Sequence, residues 1–233
     1  MELTRIYPSV PDGSHSPDYY EPNRGTHLRH PRQQRIAIAP TLSELTGPVY
    51  PQPGFAPADA DLTRQHDGMP VGERIILHGQ VCDEDGRPLP PTLVEIWQAN
   101  APGRYAHGVD NHDAALDPNF SGTGRAITDG DGRYRFITIM PGRYPFRNHY
   151  NAWRPAHVHF SVLGPNFLTR LVTQMYFPGD PLQAFDPIYL GVPEAVRERI
   201  VCRFDLDTTV PDWALAFRFD IILRGREATP SQP

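Results

Sequence analysis

The chain has 233 residues, of which 39% are hydrophobic and 21% are charged, and its net charge is −5. This composition is typical of a globular protein that is large enough to bury a core of its own. Proline is unusually frequent, with 27 residues beside 19 glycines. Because proline ends or kinks helices, the composition argues against long helices and favours short strands joined by turns.

We expect neither a membrane-spanning segment nor a secretory signal in this chain. No apolar stretch approaches the roughly 20 residues that a membrane-spanning helix needs. The first ten residues contain charged residues and proline instead of the apolar core of a secretory signal. Cys82 and Cys202 form no CxxC pair and cannot build a disulfide framework. We therefore expect a cytoplasmic protein, and the acidic charge without basic clusters argues against nucleic acid as a partner.

Residues 1–70 differ from the rest of the chain because their prolines are closely spaced. This spacing prevents any long element and predicts an irregular N-terminal arm that lies across another surface, at a subunit interface. A capping-box pattern from Thr41 to Glu44 indicates one helical turn inside the arm. Residues 71–233 have short strand-like segments and turns, so we expect them to form the folded domain.

Within that domain, two segments share the turn pattern Asp-x-Asp-Gly-Arg, at 83–87 and 129–133. Each is flanked by strand-like residues, so the pattern predicts two hairpins with the same type of turn. Further strands are predicted at 155–163, 170–177 and 214–224, and one helix at 193–203. The sequence therefore predicts an all-β fold: an antiparallel β-sandwich with a long irregular Pro-rich N-terminal arm and one or two short helices.

The clearest chemical signal is the segment Arg-Pro-Ala-His-Val-His-Phe-Ser-Val at 154–162. Strand alternation places His157 and His159 on one face, about 7 Å apart, and apolar residues on the other. Two such imidazoles can converge on one metal ion, and two structural histidines are the alternative. Tyr105 and Tyr144 end strand-like segments and could join the same site, or could be ordinary core or rim aromatic residues.

Several segments in combination resemble the intradiol ring-cleaving dioxygenases, a family of enzymes with non-haem Fe(III). The resemblance covers most of the chain after residue 70 and some of the arm. The matching segments are LVEIWQAN (93–100), GRY (103–105), LDPNF (116–120), PGRYP (141–145), WRPAHVHF (153–160) and LVTQMYF (171–177).

The resemblance implies that Tyr105, Tyr144, His157 and His159 are the four protein ligands of the ferric ion. Tyr144 and His159 would be axial ligands, and Tyr105 and His157 equatorial ones. Tyr144 would also be catalytic, because the substrate displaces it and it takes up a substrate proton. Phenolate is a hard anionic donor that suits a trivalent iron, whereas zinc rarely binds tyrosine.

The same resemblance implies roles for five other residues. Arg154 would be catalytic by stabilising the electron-rich substrate, because its guanidinium stays charged, and Gln174 would orient that guanidinium. Trp97 and Phe146 would form walls of the substrate pocket, and the family often has tryptophan at the position of Phe146. Tyr19, in the arm, would reach the carboxylate of the substrate.

The expected reaction is cleavage of protocatechuate (3,4-dihydroxybenzoate) by dioxygen between its two hydroxyl-bearing carbons, giving 3-carboxy-cis,cis-muconate. It belongs to the degradation of aromatic compounds by the β-ketoadipate pathway and uses no nicotinamide or flavin. The resemblance also implies a hetero-oligomer with a homologous alpha subunit. Two alternatives stay open: another catechol-type intradiol dioxygenase, and a non-catalytic β-sandwich subunit that binds or acts as a scaffold.

Overall fold

In a computed structural model of the chain, the described residues are 13–33, 54, 56, 59–164, 170–223 and 225–231. The strands of this part are β1 (Arg74–Cys82), β2 (Leu93–Trp97), β3 (Thr123–Ile127), β4 (Arg133–Ile139), β5 (Tyr144–Pro145), β6 (Trp153–Arg154), β7 (His157–Leu163), β8 (Leu171–Tyr176), β9 (Arg203–Phe204), β10 (Leu215–Arg218) and β11 (Ile221–Ile222). Short 3₁₀ helices and one α-helical turn lie between and before them: Arg24–Thr26, Leu62–Arg64, Pro181–Ala184, Pro187–Leu190 (the α-helical turn) and Glu194–Ile200. In the described residues we find no helix with the length and apolarity needed to cross a bilayer.

The strands form two main sheets, as predicted for a β-sandwich. In the first sheet, β1 pairs antiparallel with β4 and parallel with both β10 and β11, and β9 pairs with β10. The second sheet has the antiparallel order β3-β2-β7-β8. A separate two-stranded ladder joins β5 and β6. The two parallel pairs are a feature that the sequence pattern did not predict.

The predicted strand at 214–224 is divided into β10 and β11, and Arg224 lies outside the described residues. Between the two strands, the side chain of Asp220 accepts the hydrogen bond from the backbone N–H of Gln80 at 3.0 Å. The backbone also comes so close to β1 that a Cβ at Gly79 would lie 1.9 Å from the carbonyl oxygen of Phe219. Only glycine permits this approach, so Gly79 allows one continuous segment to pair with both halves of β1.

The core lies between the two sheets and contains the apolar faces that alternation predicts. Ile75 and Leu77 of β1, Phe136 of β4, and Val158 and Phe160 of β7 all have 0% exposure. Because the apolar residues of β7 point into this core, the intervening residues of the strand point to the outer face of the second sheet.

Both predicted Asp-x-Asp-Gly-Arg turns form, and they use the same contacts. Asp83 Oδ1 accepts the N–H groups two and four residues later at 2.9 Å each, and Asp129 Oδ1 accepts the equivalent groups at 2.9 and 2.8 Å. A hairpin at each turn would pair β1 with β2 and β3 with β4. That prediction is wrong, because β1 and β4 lie in one sheet whereas β2 and β3 lie in the other. Turn residues determine where the chain reverses, but they do not determine which sheet the next strand joins.

The predicted helix at 193–203 forms as the 3₁₀ helix Glu194–Ile200, whose Val196 and Ile200 are buried against Tyr176. Of the predicted arm, residues 13–33, 54, 56 and 59–70 are described, and the turn predicted at Thr41 lies outside the described residues. Leu62, before the predicted boundary, has 0% exposure and belongs to the sandwich core. The division of the chain at residue 70 stays a prediction.

Candidate metal centre

β7 presents two histidines on the outer face of the second sheet. The ring centroids of His157 and His159 are 4.9 Å apart, and the rings are nearly perpendicular. Trp97, directly opposite on β2, stacks on His159 with a centroid distance of 4.7 Å and an interplanar angle of 5°. Sheet pairing therefore determines where both imidazoles lie and holds one of them against an aromatic wall.

Two loops that pack backbone against backbone bring Tyr105 and Tyr144 to this face. Gly103 has φ +88°, and a Cβ there would lie 2.1 Å from a carbonyl oxygen of the opposite loop. A Cβ at Gly142 would lie 2.2 Å from a carbonyl oxygen of the first loop. The carbonyl oxygen of Asn100 accepts the N–H groups of both glycines at 2.9 Å. The glycines thus permit a contact that places the two phenol oxygens 3.5 Å apart.

All four side chains that the resemblance assigned as ligands come together. Tyr144 Oη lies 3.1 Å from His157 Nε2, and the ring centroids of Tyr105 and His159 are 6.3 Å apart. Ladder pairing of β5 with β6 sets Tyr144 opposite Arg154. Two phenols and two imidazoles therefore surround one point at the surface of the second sheet.

The protonation of His157 is determined by its surroundings. Nδ1 lies 2.7 Å from the carbonyl oxygen of Pro155, which can only accept a hydrogen bond, so Nδ1 carries the proton. Burial, followed by the charge of Arg154 and the neighbouring His159, lowers the pKa of His157 well below its ordinary value. The ring is therefore neutral, and Nε2 carries no proton, as metal binding requires; its neighbours are Tyr144 Oη at 3.1 Å and Arg154 Nη1 at 3.0 Å.

The donor set fits a hard trivalent cation. Burial, followed by the neighbouring Tyr144, raises the pKa of Tyr105 well above its ordinary value, so a nearby cation is needed to make this phenol anionic. In the described part of the chain, no group of three or more His, Cys, Asp or Glu residues could hold a metal. Two tyrosines and two histidines form a donor set that suits ferric iron.

Arg154 lies behind the tyrosines and is almost completely buried, with 2% exposure. Its Nη1 is 3.3 Å from Tyr144 Oη and 3.0 Å from His157 Nε2. Its Nη2 donates to Gln174 Oε1 at 2.7 Å. The structure therefore brings Arg154 and Gln174 together in the contact that the resemblance implies.

Two residues of this network were not identified from the sequence. Asp186 accepts from Arg154 Nε at 3.3 Å and from Nη2 at 2.8 Å, and the hydroxyl of Tyr176 accepts from Nη2 at 2.8 Å. Tyr176 could have been found, because it lies two residues after Gln174 on β8 and so shares its face. The only sequence pattern at Asp186 is the Asp-Pro pair, which is typical of a helix start.

A second buried carboxylate links the segments that carry the candidate ligands. Asp180 accepts from Arg143 Nε at 2.9 Å and from the backbone N–H of Ala156 at 3.1 Å. These partners directly precede Tyr144 and His157 in the chain. Asp180 therefore links the chain neighbours of two candidate metal ligands, through the Arg143 side chain on one side and the Ala156 backbone on the other.

A cavity of about 680 Å³ opens at the two tyrosines of the candidate site. Tyr105 and Tyr144 form part of its wall, together with Trp97 and Phe146. Other polar lining residues, to which the sequence assigned no role, include His107, Asp110, His112 and Arg147. Tyr19 does not line this cavity, and its ring instead contacts those of two histidines in the arm, His27 at 5.4 Å and His30 at 4.8 Å.

A family model described as Dioxygenase matches residues 45–225, which is more than half of the chain. The chain belongs to the intradiol dioxygenase family, as its motifs indicate.

Among individual relatives, the protocatechuate 3,4-dioxygenase beta chain of Burkholderia cepacia is 55% identical over 230 residues, which cover 98% of this chain and 96% of that relative. The alpha chain of protocatechuate 3,4-dioxygenase from the same organism is 29% identical, over 68% of this chain and 76% of that relative. A solved structure of catechol 1,2-dioxygenase from Acinetobacter sp. ADP1, inhibited by bound mercury, is similar with a TM-score of 0.53 and 31% identity, over 70% of this chain and 55% of that one.

Proposed function

We propose that this protein is the iron-bearing subunit of an enzyme that cleaves protocatechuate with dioxygen between its two hydroxyl-bearing carbons, giving 3-carboxy-cis,cis-muconate. The observation that carries the proposal is the meeting of two phenols and two imidazoles, with both phenols in the wall of an open cavity. The 55% identity to a protocatechuate 3,4-dioxygenase beta chain supports this substrate over other catechols.

Tyr105, Tyr144, His157 and His159 would hold a non-haem ferric ion. When bound, Fe(III) supplies a Lewis acid that makes the catecholic diol easier to deprotonate and to oxidise. Tyr144 borders the cavity, so its phenolate oxygen can accept a proton from the substrate. Tyr105, which also lines the cavity, would stay bound to the metal.

Arg154 would favour negative charge on Tyr144 and on the bound substrate, because its Nη1 lies 3.3 Å from the phenol oxygen. Gln174 would keep the guanidinium in this position. Trp97 and Phe146 would hold the aromatic ring of the substrate and exclude water from one side of the cavity. The role of Tyr19 in binding the substrate carboxylate stays a prediction.

We further propose that the chain works with a homologous alpha subunit, as the names of the relatives from Burkholderia cepacia imply for those proteins. The N-terminal arm would lie on that partner. Production of the chain with and without the alpha subunit, followed by size-exclusion chromatography and iron analysis, tests this. A fully active assembly of this chain alone would contradict the proposal. The cytoplasmic location also stays a prediction.

The test of the reaction is oxygen uptake by the iron-loaded protein with protocatechuate, catechol and hydroxyquinol, with the product identified by NMR. We expect 3-carboxy-cis,cis-muconate and a red-brown charge-transfer band from tyrosinate and Fe(III). Faster cleavage of catechol than of protocatechuate would instead support a catechol-type enzyme. Absence of both colour and turnover after iron loading would support a non-catalytic subunit.

A further inference from the structure

Asp186 is a buried carboxylate close to the candidate metal centre, and the comparisons and the sequence assign it no role. Its side chain has 0% exposure, and that of its ion-pair partner Arg154 has 3%. A buried ion pair of this kind contributes little net stability, because removing both charges from water costs about as much as their attraction returns. Its presence beside a reactive site therefore calls for a functional reason.

The guanidinium of Arg154 has two edges with different surroundings. One edge, Nε and Nη2, faces both oxygens of Asp186, and Nη2 also meets two neutral acceptors. The other edge, Nη1, faces Tyr144 Oη at 3.3 Å and His157 Nε2 at 3.0 Å. Because the guanidinium is planar and rigid, fixing the first edge also fixes the position of Nη1.

Asp186 is itself held by the backbone. Its Oδ1 accepts the N–H of Ile188 at 3.2 Å and so caps the helical turn Pro187–Leu190. Its own N–H donates to the carbonyl oxygen of Leu182 at 3.0 Å. The carboxylate therefore has one orientation, and it can impose that orientation on a longer and more flexible side chain.

We infer that Asp186 is the positioning residue of Arg154, holding Nη1 against Tyr144 Oη without contacting that oxygen itself. Within the described ranges, Asp186 is the sole carboxylate that contacts this guanidinium. The inference rests on the proposed function, in which Arg154 acts on the bound substrate. Without Asp186, the guanidinium keeps only neutral acceptors on its anchored edge and can move away from the site.

The first test compares Asp186→Asn with the unchanged protein in the iron-loaded state. We expect full iron content, the same charge-transfer band and a KM within about threefold, but a kcat lower by about 10- to 100-fold, since small displacements of a catalytic group have effects of this size. An unchanged kcat would overturn the inference. Loss of iron would overturn it too, because Asp186 would then support the metal ligands instead.

A double-mutant cycle separates positioning from other effects. If Asp186 acts only through Arg154, adding Asp186→Asn to Arg154→Ser should lower kcat by less than about twofold. Equal losses in both backgrounds would contradict this.

Asp61→Asn is the matched control, because Asp61 caps a helical turn through Thr63 N–H in the same way but does not contact Arg154. A comparable kcat loss in the control would assign the effect to the lost cap.

Two further measurements keep the inference testable if Asp186→Asn folds poorly or if the substrate is different. The first is Tyr176→Phe, which removes a hydroxyl that lies 2.8 Å from Arg154 Nη2 and 3.2 Å from Asp186 Oδ2. This change should lower kcat by about 2- to 10-fold. An unchanged kcat would count against the inference. In the metal-free protein, the Nε–H of Arg154 should give a slowly exchanging NMR signal that Asp186→Asn removes. A retained signal would refute positioning by Asp186, whereas failure of the unmodified protein to cleave protocatechuate would refute the proposed function alone.

Discussion

Replacing Gly103 with alanine should separate the two loops that bring Tyr105 and Tyr144 together. Gly103 has φ +88°, and the added Cβ would lie 2.1 Å from a carbonyl oxygen of the opposite loop. The left-handed conformation costs alanine about 1 to 2 kcal/mol, and overpacking adds about 1 to 3 kcal/mol. The lower entropy of the unfolded chain returns about 0.4 to 1 kcal/mol. We therefore expect Gly103→Ala to lower the free energy of unfolding by about 3 kcal/mol.

Two other glycines separate these contributions. Gly86 has φ +77° with nothing within 4 Å of an added Cβ, so Gly86→Ala should cost only about 1 kcal/mol. Gly142 meets a carbonyl oxygen at 2.2 Å without a positive φ, so Gly142→Ala should cost only the overpacking less the same entropy return, about 1 kcal/mol. Urea unfolding followed by circular dichroism measures all three, and iron content and the visible spectrum report the site. If Gly103→Ala were no less stable than Gly86→Ala, or kept the normal spectrum and iron content, the loop contact would not position the tyrosines.

Three more outcomes are expected. Tyr105→Phe should alter the charge-transfer band and slow turnover, because a phenyl ring cannot bind iron, and an unchanged spectrum would remove Tyr105 from the ligand set. Arg154→Ser should keep iron and colour but lose about 2 to 4 kcal/mol of transition-state stabilisation in kcat; failure to hold iron would make Arg154 a structural residue. Burial raises the pKa of Cys202 to about 12, so its thiol should resist iodoacetamide at pH 8 until the protein unfolds, and rapid labelling of the folded protein would contradict its burial.

Features of this fold that depend on local periodicity could be predicted from the sequence. Alternation along β7 identified both the buried apolar face and the two histidines opposite it, because strand geometry assigns successive side chains to opposite faces. Sheet membership could not be predicted, since the turns at 83–87 and 129–133 determine only where the chain reverses. Asp186 was missed for a related reason: its partner Arg154 is remote in sequence, and an Asp-Pro pair signals a helix start whether or not it faces a guanidinium.

The tyrosines show how far a local motif can identify a site. Gly-Arg-Tyr occurs three times, at 103–105, 132–134 and 142–144. The middle copy has a different role, because Tyr134 lies within β4, has 3% exposure and donates its hydroxyl proton to the carbonyl oxygen of Phe219 in the core. The other two copies meet because their glycines allow two backbones into contact. A motif that recurs in the core cannot by itself mark a metal ligand, so the pairing of the two candidate phenols is a property of loop packing and not of the tripeptide.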